Sequence, residues 1–301
     1  MENFDDIFEN QPVSGRQAGQ VFDKDAWAER KQTERQAVYD MADRTAESVA
    51  RDGEAFRSYL DVQARFDRYS ATNALLILAQ MPQATQLKDF NGWKDSGASI
   101  RRQQKGITIL EPGEEYTRED GSVGTYYNVK RVFDISQTTD SPSRAKTDPV
   151  VNTDERLLLK ALISHPPVPF ATTDELPDHA GAYYDHEQQV IFVRRGMEAG
   201  NIFRSVSKEL AHAELAAVKD DYFREDAAFT AYSASYLLCK KYGVDVGGYR
   251  FDQMPESLKS SDPQTIRTAL SDIRDTAGEI SARMSRALEQ NRQPKSKEQA
   301  R

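Results

Sequence analysis

The sequence predicts an α+β protein of two domains, and three observations carry that prediction. Apolar residues recur at near-helical spacing in two long stretches, at about 25–68 and 262–290. Short alternating runs rich in β-branched and aromatic residues lie between them, at 107–110, 126–135 and 189–193. A run of linker composition, QTTDSPSRAKTDPVVN at 137–152, divides the chain. The expected layout is a mobile leader over 1–22, a first domain over 23–138, a linker over 139–152, a second domain over 153–290 and a basic tail over 291–301. With 301 residues, each domain has enough chain to bury a core.

The elements follow in order. In the first helical stretch Trp27, Val38, Met41, Val49, Phe56, Leu60 and Phe66 form the apolar series, interrupted at Gly53. The next helix, 70–80, begins at Ser70 as a cap and stops at Met81-Pro82. The runs at 107–110, 126–129 and 132–135 are separated by Pro112-Gly113 and Glu119-Asp120-Gly121, which predicts a strand, a long hairpin and a returning strand. Beyond the linker come a helix at 154–164, a turn at Pro166-Pro167, and a hairpin with its return strand at 189–193. Helices are expected at 200–218 and 224–241, the second stopping at Tyr242-Gly243, and the last at 262–290 carries Ile266, Leu270, Ile273, Ala277, Ile280 and Met284 on one stripe.

Composition excludes several classes. No stretch approaches the roughly 20 apolar residues that cross a bilayer, so no membrane is expected as a partner. The first residues, Met-Glu-Asn-Phe-Asp-Asp, lack the basic and apolar regions of a signal peptide, and the expected location is the cytoplasm. The single cysteine, Cys239, lies in an apolar run and reads as a buried thiol. A net charge of −8 argues against coating nucleic acid by bulk electrostatics while leaving room for a local basic groove.

Two motifs carry chemistry. Residues 207–214, SKELAHAE, read as the helical zinc-binding pattern H-E-x-x-H with its first histidine replaced by Lys208. In the intact pattern two histidines one turn apart hold Zn²⁺ and the glutamate acts as general base on the bound water. Glu209 and His212 keep the base and the second ligand. Lys208, with a reference pKa of about 10.4, offers a positive charge where a lone pair is needed. The set Lys208, Glu209 and His212 therefore reads as a degenerate catalytic site, with no metal ligand set and no cofactor expected. An amphipathic helix also carries K-E-x-x-H by chance, as a solvated ion pair.

The second motif is a mixture of aromatics, basic residues and glycine: Tyr69 and Asn73, then Trp93 and Lys94, then Arg101, Arg102 and Lys105 before Gly106. Single-stranded nucleic acid is bound by such mixtures, with bases stacked on aromatic faces and phosphates tracked by cations. The alternative is that Trp93 and Phe90 fill a core and the basic cluster is a solvated turn.

Taken in order, Y-S-x-x-N-A-L-L-I, a Q-x-P-x-A-T segment (Gln80, Pro82, Ala84, Thr85), F-x-x-W-K, a basic K-G-I-x-I-L strand entry and V-F-D-I-S-Q-T (132–138) resemble the N-terminal domain of ArdC-type antirestriction proteins. The resemblance covers about 53–138. It implies a first domain that binds single-stranded DNA without strong sequence preference and a second, zincin-like domain over 153–290. It also implies a setting on conjugative plasmids and related mobile elements, with conjugation or restriction-related proteins as partners. The chain departs from the pattern at Ala98 (usually arginine), at Gln103 (usually glycine) and at Lys208. The carboxylate ligand implied for the next helix falls near Thr230 or Tyr232. Glu225, Asp226, His165, His179 and His186 are the remaining candidate ligands. The expected function is an antirestriction-like DNA-binding accessory protein with an inactive metallopeptidase-like domain. The alternatives are a metallopeptidase with a rearranged zinc site, and an interaction scaffold that binds neither DNA nor metal.

Overall fold

Helix α1, Lys24–Arg51, starts where the Asp23 carboxylate accepts the backbone N–H groups of Asp25 and Ala26, and it buries only Val38, Ala42, Ala46, Val49 and Ala50. In this computed structural model residues 23–118, 120–139 and 154–292 are described. The expected leader, the linker from residue 140 on and the tail from 293 lie outside them.

The chain breaks at Asp52, an extended residue that caps α2 (Gly53–Arg65) by accepting the Ala55 N–H at 2.7 Å. Gly53 is required by close approach: a Cβ there would stand 2.3 Å from the Phe251 carbonyl oxygen. Ser70 caps α3 (Ala71–Gln80), which ends at Met81 as expected. Strand β1 (Leu87–Lys88), helix α4 (Phe90–Asp95) and strands β2 (Ile107–Thr117) and β3 (Val123–Asp134) follow. The strands form an antiparallel sheet in the order β1-β3-β2.

Pro112-Gly113 does not end β2, contrary to the sequence reading. A register shift between Pro112 and Glu115 absorbs the irregularity and pairing resumes to Thr117. The runs at 126–129 and 132–135 belong to one strand and the turn after it, because Asp134 terminates β3 by capping the 3-10 turn Ile135–Gln137.

In the second half, α5 (Glu155–Leu162) precedes β4 (Phe170–Thr173), β5 (Ala182–Asp185) and β6 (Val190–Arg194). Their order is β4-β6-β5, with β5 antiparallel and β4 parallel to β6. The expected hairpin is therefore two strands of a mixed three-stranded sheet. Helices α6 (Ala199–Val218) and α7 (Arg224–Tyr242) pack on one another, and α7 stops at Gly243 in the left-handed region, φ 72°. The short α8 (Glu256–Lys259) leads to α9 (Pro263–Arg292), capped by Asp262.

The fold is α+β. One buried cluster runs through both halves, from Phe56, Leu75 and Ile109 to Tyr184, Leu210, Tyr236 and Ile273. Helix α9 packs against α1, α3, α5, α6 and α7. Ion pairs add to this seam: Arg267 to Asp43 at 3.0 Å, Lys240 to Asp61 at 2.9 Å and Lys241 to Asp67 at 2.6 Å. No helix among the described residues is long and apolar enough to cross a membrane.

Candidate functional site

Two places gather the residues singled out by sequence: the face of α6 that carries Lys208, Glu209 and His212, and the surface between α3, α4 and the β2-β3 hairpin.

Glu209 and His212 lie on the inner side of α6 and are 0% and 2% exposed. Strand β5 passes close enough that the Tyr184 N–H donates to Glu209 Oε2 at 2.9 Å. Arg224, the first residue of α7, donates from Nη2 to the same oxygen at 2.7 Å. Its guanidinium also lies 4.5 Å from the centroid of the Tyr183 ring. Lys208 Nζ stands 3.2 Å from Oε1, which makes no hydrogen bond among the described residues. The carboxylate is thus enclosed between two cations, the arrangement that makes burial of a charge tolerable.

Beside it, His212 Nδ1 and the Tyr222 hydroxyl are 2.9 Å apart. Burial pushes the Tyr222 hydroxyl up to about 12, so it stays protonated, and the His212 tautomer sets which of the two atoms donates. Burial likewise lowers His212 to about 4; the Arg224 and Lys208 charges reinforce that shift while Glu209 opposes it. His186 is exposed, but its ring lies 5.0 Å from Tyr222 and 6.0 Å from Tyr184, so it borders the same aromatic cluster.

The donor set does not fit zinc. A catalytic site needs three protein ligands with free lone pairs. Here His212 Nδ1 is engaged by Tyr222, position 208 presents an ammonium and a guanidinium sits on the carboxylate. Tyr232 accepts the Arg250 N–H at 2.7 Å and packs on Tyr249 and Phe251. Thr230 offers no carboxylate, Glu225 and Asp226 are exposed, and His165 and His179 lie in exposed turns with φ of 49° and 55°. Among the described residues no three His, Cys, Asp or Glu side chains are placed to hold a metal. Sequence reasoning missed Arg224 and Tyr222. A basic residue opening the helix after the motif was visible; its pairing across two helices was not.

The structure divides the predicted nucleic-acid set. Trp93 is 2% exposed, packs on Ala98 and Ile135, and donates Nε1–H to the Phe133 carbonyl at 2.8 Å. Ala98, where the resembled family usually carries arginine, is buried against it. The Asn73 amide is likewise committed, donating to the Leu110 carbonyl and accepting the Leu110 N–H, both at 2.8 Å. Gln80, two helical turns on, makes the equivalent pair with Thr108 at 2.9 Å. The two amides give the edge of β2 a substitute strand partner. Trp93 is thus committed to packing, and Asn73, which lines the groove described below, engages both its amide oxygen and its amide nitrogen with Leu110.

Lys94, Arg101, Arg102 and Lys105 are exposed. The basic turn is anchored rather than loose, since Gln137 Nε2 donates to the Lys105 carbonyl at 2.8 Å and Arg101 N donates to the Gln137 carbonyl at 2.9 Å. Gln103 holds φ 61°, the left-handed conformation that a glycine would adopt freely.

Tyr69 lines a groove of about 570 Å³. Its cations are Arg68, Lys88, Lys130 and Arg274, against the carboxylates of Asp89 and Glu111. Lys130 binds both carboxylates, at 2.7 Å to Glu111 and 3.1 Å to Asp89. Of the other three, Arg274 pairs with Asp275 of its own helix, while Arg68 and Lys88 have no carboxylate partner among the described residues. Tyr127 supplies a second aromatic wall at 39% exposure, and Phe90, beside Asp89, is 60% exposed. A groove with exposed rings and unneutralised cations suits stacked bases on a phosphate backbone.

The described residues thus combine a mixed α+β fold, a groove of this kind and a closed polar centre between α6 and α7. Comparisons with known proteins stand beside it. No family model matches the chain. The structure resembles the crystal structures of the antirestriction protein ArdC from plasmid R388 in its metal-free and Mn(II)-bound forms. Each superposes at a TM-score of 0.49 with 18% identity over 72% of this chain, and over 86% and 85% of those chains respectively. These are the proteins whose N-terminal motifs the sequence resembles; at that identity nothing about activity passes from them to this chain. A Bacillus anthracis protein described as uncharacterized protein pXO2-81 is 26% identical over 294 residues, covering 78% of this chain and 50% of that protein. The chain thus spans about half the length of that curated relative.

Proposed function

We propose that this protein binds single-stranded DNA through the groove between Tyr69 and Tyr127, as an antirestriction-like accessory protein of a mobile genetic element acting in the cytoplasm. The observation that carries the reading is the groove itself, which joins aromatic faces to Arg68, Lys88 and Arg274 with only two carboxylates, both held by Lys130. The order of ArdC-like motifs around it supports the same reading. The exposed basic turn at Arg101, Arg102 and Lys105 supplies further phosphate contacts. Restriction or conjugation proteins are the partners that fit this role.

The zincin-like half, on this proposal, binds no catalytic zinc and hydrolyses no peptide. Arg224 and Lys208 hold the Glu209 carboxylate, which in an intact site would act as general base on the metal-bound water.

Titration of labelled single-stranded and duplex DNA at two salt concentrations tests the DNA reading. Single strands bind in preference, and affinity falls as salt rises because bound phosphates release counterions. Tyr127→Ala lowers affinity about tenfold, within the roughly 1–3 kcal/mol that one stacked base contributes. Binding to duplex alone, or to neither at low salt, sinks the proposal.

A further inference from the structure

A second cavity, of about 350 Å³, lies between the end of α2, α7 and α9. Arg68 and Arg274 line both this cavity and the groove, so the two spaces meet at that pair of guanidinium groups. Arg68 makes no side-chain hydrogen bond or ion pair among the described residues. The remaining cation of the second cavity, Lys241, is held by Asp67 and by the Ser281 hydroxyl. Asp67 is its only carboxylate, and Lys241 neutralises it. Arg274 pairs with Asp275 of the same helix, so the uncompensated charge at the junction is that of Arg68.

The floor of the cavity has an unusual residue. Gly278 is in the interior of α9, where glycine is destabilising relative to alanine. No atom lies within 4 Å of the place its Cβ would occupy, and its φ is not in the left-handed region. Neither packing nor backbone geometry requires glycine there. Its absent side chain keeps the cavity open.

Resting on the single-strand reading of the groove, we infer that the strand continues past Arg68 and Arg274 into the second cavity. The DNA site is then composite: stacking comes from the first half, through Tyr69 and Tyr127, and phosphate contacts at the junction come from α9 of the second half. The ligand is the sugar-phosphate backbone of the same strand, gripped by the guanidinium groups of Arg68 and Arg274.

The test uses the full chain, with single strands of about 4 and about 16 nucleotides, the range one small site engages. Arg274→Ala removes the α9 cation, and Gly278→Phe fills the cavity from a position with open space around it. Gly278→Phe is expected to lower affinity for the longer strand about tenfold and to leave the shorter one unchanged, whereas Arg274→Ala, whose side chain lines both spaces, lowers affinity for both with the larger loss on the longer strand. Arg274→Ala also reduces the salt slope by about 0.7, the share of one phosphate on a single strand. An unfolding midpoint equal to or above the parent's confirms that Gly278→Phe folds; if it does not fold, Arg274→Ala decides alone. Parental affinity for the longer strand in Gly278→Phe, or a loss in Arg274→Ala that is equal for the two strand lengths, with Tyr127→Ala still weakened, overturns the composite site and leaves the groove standing. Failure of the parent protein to bind any single strand removes both.

Discussion

Glu209 and Asp134 are both carboxylates closed off from solvent, one in each half of the molecule, and they are held in opposite ways. Asp134 accepts three backbone N–H groups, from Thr85 at 2.7 Å and from Gln86 and Ser136 at 2.9 Å. The Gln137 side chain returns to accept the Asp134 N–H at 2.9 Å, completing a capping box. Glu209 has one backbone donor and depends otherwise on Arg224 and Lys208, which come from different helices. The first arrangement is local chain geometry with a charge at its centre. The second is a set of long side chains assembled across α6, α7 and β5. A carboxylate held by backbone loses its support only if the turn unfolds. One held by side chains can be stripped by a single substitution.

Arg224→Ala should therefore have the largest effect. It leaves Glu209 with the Tyr184 N–H and a partly exposed Lys208, and removing one partner of a buried ion pair costs about 3–5 kcal/mol. Adding Glu209→Gln should recover more than half of that loss, because a neutral amide no longer needs a counter-charge. Denaturant unfolding of the two single variants and the double variant measures the coupling directly. A single-variant loss below about 1 kcal/mol would mean that the pair is no more than a surface contact.

pH separates the two sites by window. Burial holds His212 near 4 in the folded protein, against about 6.5 when unfolded. Between these values the unfolded chain binds the proton and the folded one does not. Stability is therefore complete above about pH 6.5 and falls as the pH drops towards 4, by about 2–3 kcal/mol. For Asp134, burial alone would raise the pKa, but the hydrogen bonds from Ser136, Gln86 and Thr85 outweigh it and the net shift is downward. Its contribution is present above the ordinary carboxylate range and is lost only as the pH falls through the lower folded value. His212→Gln should flatten the stability curve between pH 6.5 and 4 while leaving the more acidic fall in place. An unaltered curve would place another group in control of that window.

The same contrast explains what the sequence made legible. Local signals were readable: Ser70 as a cap, and Met81-Pro82 and Gly243 as stops. Gly53 was readable as an interruption, although its cause, the Phe251 carbonyl, lies far along the chain. Partners distant in sequence were not readable. Strand β4 is four residues long and pairs in parallel across an intervening strand, so neither length nor alternation announced it. Arg224 could not be paired with Glu209, nor Arg68 with Arg274, without the packing of helices. Trp93 and Asn73 belonged to a motif that composition fits equally to binding and to packing. Only burial and hydrogen-bond partners separate the two.

Trp93→Phe gives the smallest expected effect and tests that separation most sharply. The substitution keeps an aromatic ring in the cluster with Ala98 and Ile135 but removes the Nε1–H that satisfies the Phe133 carbonyl. Loss of one buried hydrogen bond with its acceptor left behind costs about 1–2 kcal/mol. At 2% exposure the ring has no face to offer a base, so affinity for single-stranded DNA should stay within about twofold of the parent under conditions where both are folded. Tyr127→Ala should show the reverse: weakened binding with little change in stability, because that ring is 39% exposed. Affinity reduced tenfold by Trp93→Phe at an unchanged unfolding midpoint would show the indole stacking on DNA, and would return the binding surface to the motif from which the sequence first suggested it.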